Sequence, residues 1–386
     1  MTARIEWVRE NCRLLSAISA EFKETRPFRD LTIGTGIHLE PKTVALLLAL
    51  KEGGARVVST GNLNTTQPDA VAYLSRHGVL VVGGTTTDEH EREGHLVEVL
   101  AAQPQLILDN GGDLFVRYLV QPYDGLRGGT EETTSGRMRL AELRSRLTFP
   151  IYVINDSPIK QFAENTHAVG QSALESFLRI TNLATNGRRV VVFGYGSVGK
   201  GVAASFRNAF ALVAVVDRSP VFRLEALLDG FEVPDRDAAV RSADLVITAT
   251  GARDVVTESD LQLLKDGAIL ANAGHFPTEI AVERILNDPR VDRVTEPADG
   301  ITRLTLNDGR EVEIIAGGHM FNLAGPRPLG NSIQSMDLGF ALQARCLEAI
   351  ATGRAGNKDV VVPVPAHIDA SVAEAFLGLY SVSGSA

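Results

Sequence analysis

The stretch RRVVVFGYGSVGKGVAASF, residues 188–206, decides how this chain is read. A β-branched run, 190–193, leads into Gly194, and Gly196 and Gly199 complete G-x-G-x-x-G before a pattern of helical spacing. A further apolar run, 213–216, ends in Asp217, close to the spacing of about 20 residues at which an acid holds a ribose hydroxyl. The glycines, with Ser197 and Val198 in the turn, let backbone N–H groups approach a pyrophosphate at a helix N-terminus, whose partial positive charge favours the anion. Asp217 points to NAD as the cofactor; Arg218 beside it is the residue that could instead pair with the 2′-phosphate of NADP. The letters also fit the phosphate loop G-x-x-x-x-G-K. Gly201 then stands where a Ser or Thr hydroxyl would ligate Mg²⁺, so a dinucleotide is preferred.

Outward from this motif, short β-branched runs alternate with helical patterns. Strands are expected over 31–33, 56–59, 79–82, 106–108 and 151–154, with helices over 6–22, 42–52, 68–76, 89–102 and 137–147. Beyond a long helical pattern at 160–182, strands over 190–193, 213–216, 245–248 and 268–271 follow. The alternation predicts an α/β fold of two doubly wound parallel-sheet domains, one a Rossmann NAD-binding domain, with ligands at the carboxyl ends of the strands. Pro326-Arg-Pro328-Leu-Gly330 marks a hinge, and a helix over 332–352 returns to the first domain. The expected organisation is a substrate-binding domain over 1–158 completed by about 331–360, a Rossmann domain over 159–327 and a short C-terminal segment, 361–386.

The 386 residues carry 38 Lys plus Arg against 47 Asp plus Glu, a formal charge of -9. Nucleic acid and anionic membranes are bound through surplus Lys and Arg, so neither is an expected partner. Cys12 and Cys346 are too few for a disulfide framework and lack zinc spacing, which suits a reducing compartment. The N-terminus, MTARIEWVRENCRLL, mixes charges among its apolar residues and lacks the core of a secretory signal. The longest apolar run, 44–50, falls far short of the roughly 18 residues that span a bilayer. A soluble cytoplasmic protein is expected. No metal is expected either: the cluster from Asp88 to His95 reads as a solvated helix start, and Arg137, Arg139, Arg144 and Arg146 as an exposed basic stretch.

Five further phrases stand in order with the glycine loop: STGNLNTTQ at 59–67, ILDNGGDL at 107–114, GGTEETTSG at 128–136, VINDSPIKQFAEN at 153–165 and NAGHF at 272–276. Together they resemble the S-adenosylhomocysteine hydrolase family, from about residue 10 to residue 379. The resemblance implies a nucleoside substrate whose ribose 3′-carbon is transiently oxidised by bound NAD⁺. The ketone acidifies the C4′ hydrogen, a base removes it, and the 5′-substituent leaves; in the family, water then adds and the ketone is reduced.

By the same resemblance, Lys160 is the base near the 3′-hydroxyl, with Glu164 one helical turn on, and Glu132 binds the sugar. His38 and His275 resemble the histidines that flank the 5′-carbon. Thr66, Gln67 and Asn165 match substrate contacts. Thr133, Thr134, Ser135, Thr250, Gly251, Asn272 and Asn322 match NAD contacts, the two asparagines orienting the nicotinamide amide. A homo-oligomer, dimer or tetramer, is implied as well.

Five departures bear on activity. The family's second acid in LDDGGD is Asn110 here, which can orient but cannot transfer a proton. The family's helix Asp is Glu164. Near the base, Glu40 and Lys42 replace Thr and Glu, and a Lys, which only donates, suits a carbonyl better than an amine. Pro326-Arg327-Pro328 stands where the family has a His-containing loop, and the family's C-terminal tail, whose Lys and Tyr reach the neighbouring subunit's NAD, has no match, so freer NAD exchange is expected. These changes favour elimination at C4′ and C5′ of a non-standard nucleoside, for example 4′,5′-dehydration, in specialised metabolism. The alternatives are an authentic S-adenosyl- or S-inosylhomocysteine hydrolase, with Lys42 facing the inosine carbonyl, and a non-catalytic NAD- or nucleoside-binding protein.

Overall fold

The computed structural model describes residues 2–355 and 360–380. In chain order the elements are α1 (Thr2–Asn11), α2 (Arg13–Thr25), β1 (Thr32–Gly36), α3 (Pro41–Glu52), β2 (Arg56–Thr60), α4 (Pro68–Arg76), β3 (Leu80–Val82), α5 (Glu89–Ala101), β4 (Leu106–Asp109), α6 (Asp113–Val120), β5 (Gly128–Glu131), α7 (Thr134–Glu142) and β6 (Ile151–Val153). A π-helix, Lys160–Ala168, leads into α8 (Val169–Thr181), β7 (Arg189–Phe193), α9 (Ser197–Asn208), β8 (Leu212–Val216), α10 (Pro220–Leu228), α11 (Arg236–Ser242), β9 (Leu245–Thr248), β10 (Ala268–Asn272) and α12 (Val282–Leu286). Then come β11 (Val291–Ala298), β12 (Ile301–Leu306), β13 (Glu311–Ile315), α13 (Phe321–Ala324), α14 (Ile333–Ala351), β14 (Val361–Pro363) and α15 (Ala366–Tyr380).

Two compact units divide the chain: residues 1–161 with 333–386, and residues 162–332. The first holds a parallel sheet of order β14-β6-β5-β4-β1-β2-β3. Its inner strands, β6, β5, β4, β1 and β2, are short and almost wholly buried, as coverage by helices on both sides requires. Ile107, Leu114, Phe115, Leu96 and Val99 pack one of those faces. Residues 361–363, expected in a separate end segment, supply a strand to this sheet beside β6. Residues 356–359 and 381–386 of the expected return and end segments lie outside the described residues.

The second unit carries the sheet β11-β12-β13-β10-β9-β7-β8, parallel from β13 to β8 and closed by the antiparallel β11 and β12. Side chains alternate across a strand, and β7 shows the result. Val190 and Val192 join Phe177 and Phe206 in one core, while Val191 and Phe193 join Val240 and Leu261 in the other. Gly170 and Gly201 let α8 and α9 meet backbone to backbone: a Cβ on Gly170 would lie 2.3 Å from the Gly201 carbonyl oxygen.

Several elements differ from the sequence expectation. The helix expected over 6–22 is two helices, broken at the buried Cys12, because the N–H groups of Leu14 and Leu15 each donate to the Asp337 carboxylate at 2.8 Å. The pattern at 160–182 is α-helical only from Val169. The strand β5 is absent from the expectation because its Gly128 and Gly129 lack β-propensity; a Cβ on Gly129 would lie 1.8 Å from the Ile107 oxygen, so no side chain fits there. The β11–β12–β13 meander was also unforeseen, although Asp299-Gly300 and Asp308-Gly309, both turn dipeptides, punctuate it. Among the described residues no helix is long and apolar enough to cross a membrane.

Candidate active site

In the first unit, the chain leaves β1 toward β2 on one side and returns as β4 on the other, with Gly36 in register with Asp109. Such a switch point opens a crevice beyond the carboxyl ends of the strands. His38 follows β1, Asn110 follows β4 and Glu132 follows β5. Lys160 Nζ stands 2.9 Å from Glu132 Oε1, with side chains 5% and 6% exposed. Asn110 Nδ2 donates to Glu132 Oε2 at 2.9 Å. Burial alone would raise the Glu132 carboxyl, but the Lys160 ammonium and the two hydrogen bonds outweigh it and hold the group below the ordinary carboxylate range.

His38 Nδ1 lies 2.6 Å from Thr65 Oγ1, and that hydroxyl donates to the Asn62 carbonyl oxygen at 3.2 Å. Both bonds hold together when Nδ1 carries the ring proton, which leaves the lone pair of the neutral ring on Nε2. Thr66 Oγ1 also donates to the Asn62 carbonyl, at 3.1 Å, and Gln67 N donates to the Leu39 carbonyl at 2.7 Å. Thr66 thus braces the loop after β2, while Thr65 and Gln67 tie that loop to the one after β1. At the head of α3, Lys42 and Glu40 form a buried ion pair at 2.9 Å.

Sequence reasoning missed the two carboxylates beneath this layer. Asp109 and Glu131 are register partners at the ends of β4 and β5, and both are fully buried. Glu131 Oε1 accepts from Gly111 N, Thr133 N and Thr133 Oγ1 at 3.0, 2.7 and 2.7 Å, and Oε2 from Gly112 N at 2.9 Å. It thereby fixes the loops that carry Asn110 and Glu132. Burial, then the nearby Asp113, pushes the Asp109 carboxyl up to about 7; burial and Asp109 raise Glu131. The signal was an acid ending each of two neighbouring buried strands. Thr133 Oγ1 also accepts from Gly136 N at 2.9 Å, capping α7, with Ser135 half-buried and Thr134 exposed beside it.

The second unit has its own switch point between β7 and β9. Gly194 has φ +94°, and a Cβ on Gly199 would fall 1.9 Å from the Gly194 oxygen, so both positions exclude a side chain. A Cβ on Gly196 would meet nothing within 4 Å, and Ser197 and Val198 open α9 next to it. Asp217 Oδ2 accepts from Tyr195 N and Oδ1 from Ser219 N, each at 2.7 Å, while Arg218 is exposed. Beyond β9, Thr250 N, Thr250 Oγ1 and Gly251 N donate to the buried Glu279 at 2.9, 2.8 and 2.8 Å. Burial raises that carboxyl, and sequence reasoning missed it too.

Asn272, expected on the nicotinamide, spends its amide on the chain. Its Nδ2 donates to the carbonyls of Gly274, Phe276 and Gly318 at 3.2, 2.9 and 3.0 Å, and its Oδ1 accepts from Thr248 Oγ1 and Gly274 N at 3.0 and 2.7 Å. It shapes the loop bearing His275, whose ring packs edge-on to Phe276. Asn322 differs. Its Nδ2 donates to Ser172 Oγ at 2.9 Å, and its buried Oδ1 has no hydrogen-bond partner among the described residues. Glu164 is buried and Asn165 half-buried on the π-helix.

These groups fit NAD. The open space over Gly196 and the first turn of α9 suit a pyrophosphate, Asp217 suits a ribose diol, and the orphaned Asn322 oxygen suits a carboxamide N–H. No group of His, Cys, Asp and Glu able to hold a metal occurs among the described residues.

Residues 165–327 match the family described as S-adenosyl-L-homocysteine hydrolase, NAD binding domain, and residues 3–123 match S-adenosyl-L-homocysteine hydrolase. The chain is 38% identical over 376 residues to the S-inosyl-L-homocysteine hydrolase of Methanopyrus kandleri, covering 96% of this chain and 88% of that protein. It is 38% identical over 376 residues to the adenosylhomocysteinase of Thermotoga maritima, covering 96% and 92%. Among solved structures, a dipicolinate synthase from Bacillus halodurans aligns with a TM-score of 0.50 at 12% identity, over 84% of this chain and 99% of that one, a likeness of fold alone. With the dinucleotide loop and the Lys160–Glu132 pair in place, the chain belongs to the S-adenosyl-L-homocysteine hydrolase family and is a NAD-dependent enzyme acting on a nucleoside.

Proposed function

We propose that this enzyme hydrolyses an S-nucleosidyl-L-homocysteine, with the S-inosyl thioether preferred over the S-adenosyl one. The observation that carries this is the buried Lys160–Glu132 pair in a chain 38% identical, over nearly its whole length, to two hydrolases of that chemistry. Bound at the dinucleotide loop, NAD would supply the hydride acceptor and donor for the ribose 3′-carbon. Lys160 and Glu132 hold the ribose hydroxyls, the carboxylate accepting, and Lys160 in its neutral form takes the proton that leaves the 3′-oxygen. His38, with its lone pair on Nε2, exchanges the proton that the sulfur gains and that water loses. Lys42 donates only, which suits the carbonyl of hypoxanthine better than the amine of adenine.

A second reading rests on Asn110. Its amide, engaged with Glu132 and Asn62, orients without transferring a proton. A cycle that stops after elimination, expelling water from a free 5′-hydroxyl to leave a 4′,5′-alkene, needs one fewer proton-transfer group. Incubation with NAD⁺ separates the two. Thiol release from S-inosyl-L-homocysteine supports hydrolysis, and loss of water from a free nucleoside without thiol release supports dehydration.

A further inference from the structure

One chain of hydrogen bonds in the first unit runs from a cation near the surface to Glu132. Arg139 Nη1 reaches Asp113 Oδ1 at 2.5 Å, and Arg92 Nη2 donates to Asp113 Oδ2 at 2.7 Å and to Asn62 Oδ1 at 3.0 Å. Asn62 Nδ2 donates to Asn110 Oδ1 at 2.9 Å, and Asn110 Nδ2 donates to Glu132 Oε2 at 2.9 Å. Asn62 and Asn110 are buried. An Asn side chain can face either way, so two in series have no intrinsic direction. A guanidinium has five donors and no acceptor. It therefore forces the Asn62 oxygen toward itself, the Asn62 amide toward Asn110, and the Asn110 amide toward Glu132.

We propose that Arg92, acting through Asn62, is a positioning residue: it sets the direction of the Asn62–Asn110 chain so that Glu132 always meets a donor. With either amide reversed, Asn110 would present its oxygen to the carboxylate, and Glu132 would swing from Lys160. The carbonyl of Asn62 also accepts from Thr65, the partner of His38. One loop residue thus fixes both proton-handling arms. This deepens the proposed reaction and rests on it only for the kinetic arm of the test.

The test compares Arg92→Met, Arg92→Lys and Asn62→Asp with wild type. The two readouts are turnover of S-inosyl-L-homocysteine against pH and hydrogen exchange of the Asn110 side-chain amide, identified by its loss in Asn110→Asp. Arg92→Met is expected to lower turnover about tenfold to a hundredfold with little change in KM, and to speed Asn110 exchange at least about tenfold, since an unlocked amide visits solvent. Arg92→Lys, a donor-only cation, should recover most of both. Asn62→Asp keeps the shape but turns the Asn110 amide away from Glu132, so it should lose turnover even if Arg92→Met proves unable to fold. Wild-type turnover or wild-type exchange in both Arg92→Met and Asn62→Asp overturns the proposal. If wild type releases no thiol at all, the hydrolytic reading fails while the exchange arm still decides the role of Arg92.

Discussion

Lys160 Nζ and Glu132 Oε1 stand 2.9 Å apart with both side chains buried. Removing one partner strands the other charge. Glu132→Gln should cost about 3 to 5 kcal/mol near neutral pH. Because Lys160 and its hydrogen bonds hold the folded-state carboxyl below its unfolded value, this stabilisation is complete above the unfolded pKa near about 4.3 and is lost as pH falls through the folded one. Denaturant unfolding of both proteins across the acid range checks this: the gap between them should narrow, and a constant gap contradicts the ion pair.

Asn110→Asp places a second carboxylate against Glu132, where an amide now donates. Like charges at hydrogen-bond distance cannot both ionise without raising a pKa. The acid limb of the kcat/KM profile should move upward by roughly one unit or more. An unmoved limb would mean that Glu132 does not govern that limb.

Asp337 supplies both acceptors for the N-terminus of α2, yet burial pushes its carboxyl up to about 6. The folded protein therefore keeps a proton that the unfolded chain has released by about pH 4. Stability should fall as pH rises from about 4 to about 6 and then level off. Asp337→Asn should flatten that slope in thermal melts, and an identical slope in the variant contradicts the assignment.

Much of this was legible in the sequence because the decisive features are local. The glycine loop carries its own backbone requirement: Gly199 tolerates no Cβ against Gly194, and that need is visible as a spaced letter. Lys160, Glu132 and His38 were found through family phrases, and the structure brings the first two together. What stayed hidden depends on neighbours distant in the chain. The break at Cys12 is set by Asp337, more than three hundred residues away. Asp109 and Glu131 lie 22 residues apart in the chain, and only the register of β4 with β5 places them side by side. The bracing bonds of Asn272 were equally invisible, because its acceptors come from the loops at 274–276 and at 318.

Asp217→Asn removes the charge facing the expected ribose diol and leaves an acceptor for only one of Tyr195 N and Ser219 N. A hydrogen bond to a charged group is worth about 1.5 to 3 kcal/mol, so NAD binding should weaken roughly tenfold to a hundredfold. Discrimination against NADP should shrink in parallel. Calorimetric titration with both cofactors checks this, and undiminished NAD affinity removes Asp217 from the site.

The most direct measurement incubates wild type and Lys160→Ala with NAD⁺ and S-inosyl-L-homocysteine while following free thiol and NADH absorbance. Wild type should release homocysteine faster than from S-adenosyl-L-homocysteine, and Lys160→Ala should bind NAD yet form neither thiol nor NADH. Absence of thiol from wild type with both thioethers, or undiminished NADH formation in Lys160→Ala, would contradict the proposed hydrolysis.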